Sequence, residues 1–452
     1  MDPRVRGGDD TNLDVIVKVL CTGDLHIGRG PSRLPSGVDV RPLSCARRWE
    51  AIVECALTQR VDLVAISGDL VDRKNRYFEA IGPLEKGLRR LSDAGVVTVA
   101  VAGNHDFDVL PEIAQSLGGP CFHLLGCGGA WERKRVQLRS GETVTVDGWS
   151  FPQEHVSANP LDSYALGVAD GGVHVGLLHA DLGVPTSRYA PVSLADLRAH
   201  PADLWLLGHI HEPRLEGGTV PVLYPGSPQA MDPGESGAHG VWIGEMHAGQ
   251  PVHMQMVRLS AVQYETIDVD ATDVSDEVTL MSSVHAQIRH AAETFVDSAE
   301  GLKHLSLRIR VCGATSMYHR ISACLHALET DAEISIGDVC VWVERVVNQT
   351  RPARDLEDLS RGNDAPALLA RLLLTLSGDR EATEVELAIL REAEQAASRA
   401  RTARPYLALD ESEFDDTIDV REVVAAQATA LLDELLRGSP SPSPSPSRGA
   451  TA

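Results

Sequence analysis

Short apolar runs recur along the first half of the chain, and each ends in a polar block. Val15 to Leu20, Val61 to Ile66, Val96 to Ala102, Val173 to Leu178 and Leu204 to Leu207 read as buried β-strands. Between them, Cys45 to Thr58 and Tyr77 to Ala94 carry helical periodicity, and further strands are predicted at Thr143 to Trp149, Val220 to Tyr224 and Val241 to Glu245. Mixed strands with helices outside predict an α+β fold, a two-sheet sandwich flanked by helices.

After about Val262 the pattern changes. Val278 to Phe295 reads as a helix, Leu305 to Val311 as a strand, Tyr318 to Leu328 as a helix and Ile334 to Val346 as a strand. Helical stretches follow at Ala365 to Leu376, Glu381 to Thr402 and Val420 to Leu436, before a Ser/Pro alternation from Ser439 to Arg448 that favours extended, solvated chain. The expected organisation is a disordered N-terminus over 1–12, a large α+β domain over 13–260, a small α/β domain over 261–350, C-terminal helices over 351–437 and a disordered tail over 438–452. No repeat at solenoid period and no Gly-rich nucleotide loop stand out, so any ATP dependence must come from a partner.

The polar blocks carry the chemistry. They are Gly23-Asp24-Leu25-His26, Gly68-Asp69-Leu70-Val71-Asp72, Gly103-Asn104-His105-Asp106, Leu178-His179-Ala180-Asp181 and Gly208-His209-Ile210-His211, and they are expected along one edge of a sheet. Any one of them alone could be an ordinary turn, because Gly and Asn tolerate left-handed backbone and Asp caps the following helix. As an ordered set they offer carboxylate, imidazole and amide oxygen, which suit Mn, Fe or Zn better than Mg or Ca. No cysteine lies within the blocks, against a closed structural zinc site. Two divalent ions about 3.5–4 Å apart generate hydroxide near neutral pH and clamp the oxygens of a displacement at phosphorus. Phosphoester hydrolysis is the matching reaction.

In order and spacing, the blocks from Val15 to Arg258 resemble the calcineurin-like metallophosphoesterases. Within that superfamily the chain is most similar to the SbcD-type DNA-repair nuclease subunits, through Tyr224-Pro225-Gly226-Ser227-Pro228-Gln229 and the long C-terminal extension. The resemblance implies that 13–260 is the metallophosphoesterase (nuclease) domain and 261–350 a small capping domain, and the amphipathic helices over 351–437 are a candidate surface for partner docking. The resemblance implies a first metal held by Asp24, His26, Asp69 and His211, and a second held by Asp69, Asn104, His179 and His209, with Asp69 bridging. It leaves His105 to protonate or stabilise the leaving oxygen. Asp106 is placed to orient His105. Some family members carry a second catalytic His where this chain has Asp72, which is therefore read as a loop brace.

The remaining chemistry is subordinate. His123, His155, His174, His200, His239, His247 and His253 lack metal spacing and stay outside the predicted site. The eight cysteines form no CxxC pair, which agrees with a reducing compartment. No apolar run approaches a transmembrane length and the N-terminus lacks a signal-peptide core, so a cytoplasmic protein is expected. The net charge of −23 argues against a coat for non-specific nucleic-acid binding. It is uneven, at −8 over residues 1–260 and −15 over 261–452. Two basic clusters follow metal blocks: Arg29, Arg33, Arg41, Arg47 and Arg48, then Arg73, Lys74 and Arg76. Arg29, Arg73, Lys74 and Arg76 are the candidate substrate-binding residues, a cationic rim steering a phosphate backbone into the cleft.

The expectation is a phosphodiesterase dependent on two divalent ions, Mn2+ ahead of Fe or Zn, that acts on DNA as the nuclease subunit beside an SbcC-type SMC-like ATPase. A homodimer is left open, and no membrane partner is expected. The alternatives are a stand-alone phosphoesterase on nucleotides or phosphoproteins and a scaffold subunit with weak activity.

Overall fold

The computed structural model describes residues 16–72, 74, 77–117, 122–139, 141–248, 250, 252–272, 274–296, 301–318, 320–331, 333–378, 380–401 and 420–437. The expected disordered ends, 1–12 and 438–452, lie outside those residues. Two compact units divide the chain: one takes residues to Asp268 with His285–Arg310 and Leu325–Val347, the other Val269–Val284, Val311–Cys324 and Asn348 onward.

The first unit contains two six-stranded sheets. In the first, the order is His253–Arg258, Gly240–Met246, Val17–Thr22, Leu63–Ile66, Val97–Ala100 and Phe122–Leu124, with the last four strands parallel. In the second, the order is Glu132–Gln137, Thr143–Trp149, Val173–His179, Leu204–Gly208, Val222–Tyr224 and Arg214–Glu216, again with a parallel centre.

Period-2 alternation explains the sandwich. Val17, Val19 and Cys21 point to one face and pack with Leu63, Ala65 and Val99 against Val144, Val146, Val175, Leu177 and Leu206 of the other sheet. Leu20, Val64, Ile66 and Ala100 point the other way, onto Trp49, Ile52 and Ala56 of helix Cys45–Gln59 and Leu84, Leu88 and Leu91 of helix Ile81–Asp93. Helix Cys45–Gln59 begins where the Ser44 side chain accepts the Arg47 amide and stops at Arg60 in left-handed backbone. Strands covered on both faces lose the alternation of polar and apolar residues, which is why they read as continuous apolar runs.

One consequence corrects the sequence reading. The polar blocks do not line one sheet: the first three follow strands of the first sheet, and the last two end strands of the second. All sit at carboxyl ends of parallel strands, so packing the sheets face to face brings both rows to one end of the sandwich.

A four-stranded sheet, in the order Val262–Asp270, His304–Cys312, Val339–Asn348 and Glu333–Ile336, lies mostly in this unit. Val262, Tyr264 and Trp342 share a buried cluster with Leu43 and Ala230. The single strand expected over Ile334 to Val346 is a hairpin, because Gly337 takes φ 58° and Ile336 pairs with Val339. The helix expected over Tyr318 to Leu328 is two short pieces, Ile321–Leu325 and Leu328–Asp331.

In the second unit, helices Ala365–Leu376, Glu384–Arg401 and Val420–Arg437 occupy the predicted positions. Leu372 and Leu373 pack with Ala428 and Leu432, while Val423 and Leu431 are exposed. The apolar residues of the last helix are therefore split between a packed face and an exposed one.

Candidate metal centre

Backbone geometry aims the site before any side chain does. Asp24, His26, Asp69 and His209 have φ of 51°, 47°, 50° and 97°, the left-handed region that L side chains avoid. Amides cross-link the turns: Asp24 N–H donates to the Gly68 carbonyl at 3.0 Å and His26 N–H to the Asp69 carbonyl at 2.9 Å. Glycine is required at close approaches. A Cβ at Gly103 would fall on the Asp69 carboxylate, and one at Gly208 on the Ser67 carbonyl and the His179 ring.

All seven residues assigned as ligands from the sequence converge. Donor atoms of Asp24, His26 and His211 lie within 4.8 Å of one another, as do those of Asp24, Asp69 and His179. The Nε2 atoms of His26 and His211 are 3.1 Å apart. Asn104 Oδ1 lies 3.0 Å from His179 Nε2 and 3.2 Å from His209 Nδ1. Between the two groups sits Asp69, whose Oδ2 is 3.7 Å from His26 Nε2 and 3.4 Å from His179 Nε2.

The electrostatics fit divalent cations. Asp24, His26, Asp69 and His179 are almost wholly buried, and among the described residues the His26 Nδ1 finds no hydrogen-bond partner. Burial pushes the Asp24 carboxyl up to about 6, and lowers His26 well below an ordinary imidazole. Burial also raises Asp69, but the His179 ring and its other histidine neighbours outweigh that and hold it well below the usual carboxylate range. His179 is the counterpart: burial lowers it, yet the Asp69 carboxylate drives it up to about 9. Buried nitrogen and oxygen donors crowded this closely match a borderline divalent ion, whose charge would offset the carboxylates.

His105 stands at the edge, its side chain 33% exposed, with its amide donating to Asp69 Oδ1 at 2.8 Å. Asp106 is fully buried and does something other than orient that ring. Its carboxylate accepts the amides of Gly103 and Leu70, both at 2.8 Å, and of Val71 at 3.3 Å, so it ties two site loops together. Among the described residues, the carboxylate beside the His105 ring is Asp72, with Oδ2 3.8 Å from Nδ1. The same oxygen lies 3.8 Å from His26 Nδ1 and 3.7 Å from Arg29 Nε, while Oδ1 accepts the Lys74 amide at 3.0 Å. Asp72 does brace its loop, and it also faces the site.

Of the expected rim, Arg73 and Arg76 lie outside the described residues. Lys74 donates to Glu154 at 2.8 Å, and Arg29 faces Asp72. Arg41 and Arg47 pair with Asp39 and Glu50, and Arg48 donates to the Leu259 carbonyl. Residues that the sequence reading passed over also support the site. Glu235 takes the His211 Nδ1 at 2.7 Å, the Ser67 carbonyl takes the His179 Nδ1 at 2.9 Å, and Tyr189 stacks on His209 with centroids 4.5 Å apart. None belongs to a metal-spaced motif.

A family model described as calcineurin-like phosphoesterase matches residues 17–213, and one for the middle domain of the metallophosphoesterase YhaO matches residues 264–351. The chain is 27% identical over 277 residues to the uncharacterized metallophosphoesterase YhaO of Bacillus subtilis, covering 58% of this chain and 65% of that protein. It is 30% identical over 227 residues to the DNA double-strand break repair protein Mre11 of Aeropyrum pernix, covering 48% of this chain and 54% of that one. A solved calcineurin-like phosphoesterase, YfkN from Bacillus subtilis, superposes with a TM-score of 0.36 and 14% identity over 62% of this chain and 98% of that one. The match thus spans between about half and two thirds of the length of these curated relatives. Residues 17–213 of this chain therefore form a calcineurin-like metallophosphoesterase domain. Among the described residues, no helix is long and apolar enough to cross a membrane.

Proposed function

We propose that this protein is a phosphodiesterase dependent on two divalent ions that cleaves DNA, with Mn2+ as the working metal and an SbcC-type ATPase as its partner in the cytoplasm. One observation carries the chemistry: a single carboxylate oxygen, Asp69 Oδ2, lies between His26 Nε2 at 3.7 Å and His179 Nε2 at 3.4 Å. Asp24, His26, His211 and Asp69 would hold one ion, and Asp69, Asn104, His179 and His209 the other. Bound there, the ions supply Lewis-acid charge to the phosphoryl oxygens and activate water.

The chain's own groups do the rest. His105 is the part-exposed imidazole at the rim, placed to give a proton to the departing oxygen. Asp72 faces the Nδ1 of that ring, which leaves Nε2 for the substrate. Asp106 holds the turns after two strands at a fixed separation through three amides, so that Asp69 and His105 keep their spacing. The DNA substrate is supported by the likeness to proteins named for double-strand break repair.

A stand-alone phosphoesterase is favoured by a different observation. Arg29, Arg41, Arg47, Arg48 and Lys74 lie against carboxylates or a carbonyl, which leaves less charge for a polyphosphate backbone. End-labelled linear duplex DNA, a cyclic nucleotide and bis(p-nitrophenyl) phosphate, each with and without Mn2+, separate the readings. Mn2+-dependent shortening of the duplex is expected. Turnover of the small diesters with intact DNA would sink the DNA assignment, and no turnover of any substrate would leave a scaffold.

A further inference from the structure

We infer that Glu235 is the positioning carboxylate of His211, and that the Tyr224-Pro225-Gly226-Ser227-Pro228-Gln229 segment is built to hold it. The inference rests on the metal-centre reading above and extends it to a residue outside the ligand blocks. Glu235 Oε1 lies 2.7 Å from His211 Nδ1. A carboxylate accepts, so the ring must donate Nδ1–H, which leaves Nε2 bare and aimed at the His26 Nε2 only 3.1 Å away. An imidazole whose outer nitrogen is bound to a carboxylate is fixed in tautomer and orientation, and is a stronger donor at the inner nitrogen.

The other oxygen of Glu235 is committed to the same end. Oε2 accepts the Ser227 hydroxyl at 3.1 Å and the Met231 amide at 2.8 Å. Ser227 also fixes the His211 main chain, since its amide donates to the His211 carbonyl at 2.9 Å. A Cβ at Gly226 would fall on that carbonyl and on Pro213, so the close approach needs glycine at its φ of 72°. His239 closes the ring, with Nδ1 2.8 Å from the Ser227 carbonyl. Gln229 anchors the far end, accepting the Ala261 amide at 3.1 Å and donating to the Ser260 hydroxyl at 2.9 Å. The segment thus grips His211 twice, once by backbone and once through Glu235. In the second ligand group the His179 Nδ1 meets the neutral Ser67 carbonyl, while the outer Nε2 of His209 lies 3.5 Å from Asp181 Oδ1, so Glu235 belongs to the first group alone.

The two ion positions should therefore respond unequally to loss of Glu235. In the full-length protein, titration with Mn2+ by calorimetry is expected to resolve two affinities, and Glu235→Ala should weaken one by about 10–100-fold and spare the other. Glu235→Gln should fall between, because its amide oxygen still accepts the Nδ1–H without the charge. A folded Glu235→Ala protein with both affinities intact would overturn the proposal, as would equal weakening of both with lowered thermal stability, the mark of a general brace. Should the alanine variant not fold, two-bond 1H–15N spectra of the Zn2+-loaded wild type decide the matter. Nδ1–H on His211 is expected, and Nε2–H would refute it. A wild type that binds no stoichiometric divalent ion would instead bring down the metal-centre reading itself.

Discussion

Asp72 and His105 face one another at the rim of the site, Oδ2 to Nδ1 at 3.8 Å, with the carboxylate buried and the ring partly exposed. Such a pair sets which ring nitrogen points at substrate. Replacing His105 by Ala should leave the metal content intact and slow hydrolysis by about 10²–10⁴-fold. Asp72→Asn should cost less, and adding it to His105→Ala should cost almost nothing more, because both changes remove one function. Kinetics on diesters with good and poor leaving groups, paired with elemental analysis, test this. Loss of both metals in His105→Ala would contradict the separation of proton donor from ligands.

Asp69 is shared between the two donor groups, so its loss should be felt at both. Asp69→Ala is expected to purify with neither ion and nearly no activity. A variant that retained one ion at wild-type affinity would show that the groups are independent.

Asp147 makes a pH-dependent contribution to stability away from the site. Burial raises its pKa, but hydrogen bonds from Arg133, His174 and Tyr164 outweigh that and bring it down to about 2. A carboxyl lower in the folded than in the unfolded state stabilises fully above the unfolded value near 3.8, and the contribution fades as pH falls toward about 2. The loss should be about 2 kcal/mol. Denaturant unfolding at stepped pH should show the wild type losing that much more than Asp147→Asn between about pH 4 and 2. Parallel curves would mean the network is energetically idle.

The basic rim predicts an effect on polymers alone. Neutralising Arg73, Lys74 and Arg76 together should weaken duplex binding and reduce its salt slope, with hydrolysis of a small diester unchanged. Lys74→Ala by itself should do little, because Glu154 already offsets that charge. Equal loss on DNA and on the small diester would point to damage at the active site.

The last helix predicts where a partner docks. Ala428 and Leu432 are packed against Leu372 and Leu373, so deleting residues 417–452 would expose that core. Substitution of the exposed face is the cleaner probe. Val423→Asp with Leu431→Asp should preserve the helical signal and Mn2+-dependent turnover of a small diester, and abolish co-purification with the proposed ATPase partner. Retained co-purification would exclude this face.

The candidate ligands were legible in the amino-acid order because metal chemistry limits the residue types and the family resemblance singles out the positions. Asp24, His26, Asp69, Asn104, His179, His209 and His211 each follow an apolar run, and a strand that must be buried advertises both itself and the turn that ends it. The large helices were legible for the same reason, through a period of 3.6 that packing enforces. What stayed hidden depends on distance in space. Nothing local in Asp232-Pro233-Gly234-Glu235 marks a carboxylate for His211, since the hydrogen bond exists only once the last sheet strands bring the two loops together. Adjacency in sequence likewise suggested Asp106 as the partner of His105. Folding instead turned Asp106 inward to three amides and swung Asp72 from another loop into that place. The division of the blocks between two sheets was also beyond local reading: strand runs encode burial, whereas which strand pairs with which is settled by how the two apolar faces close on one another.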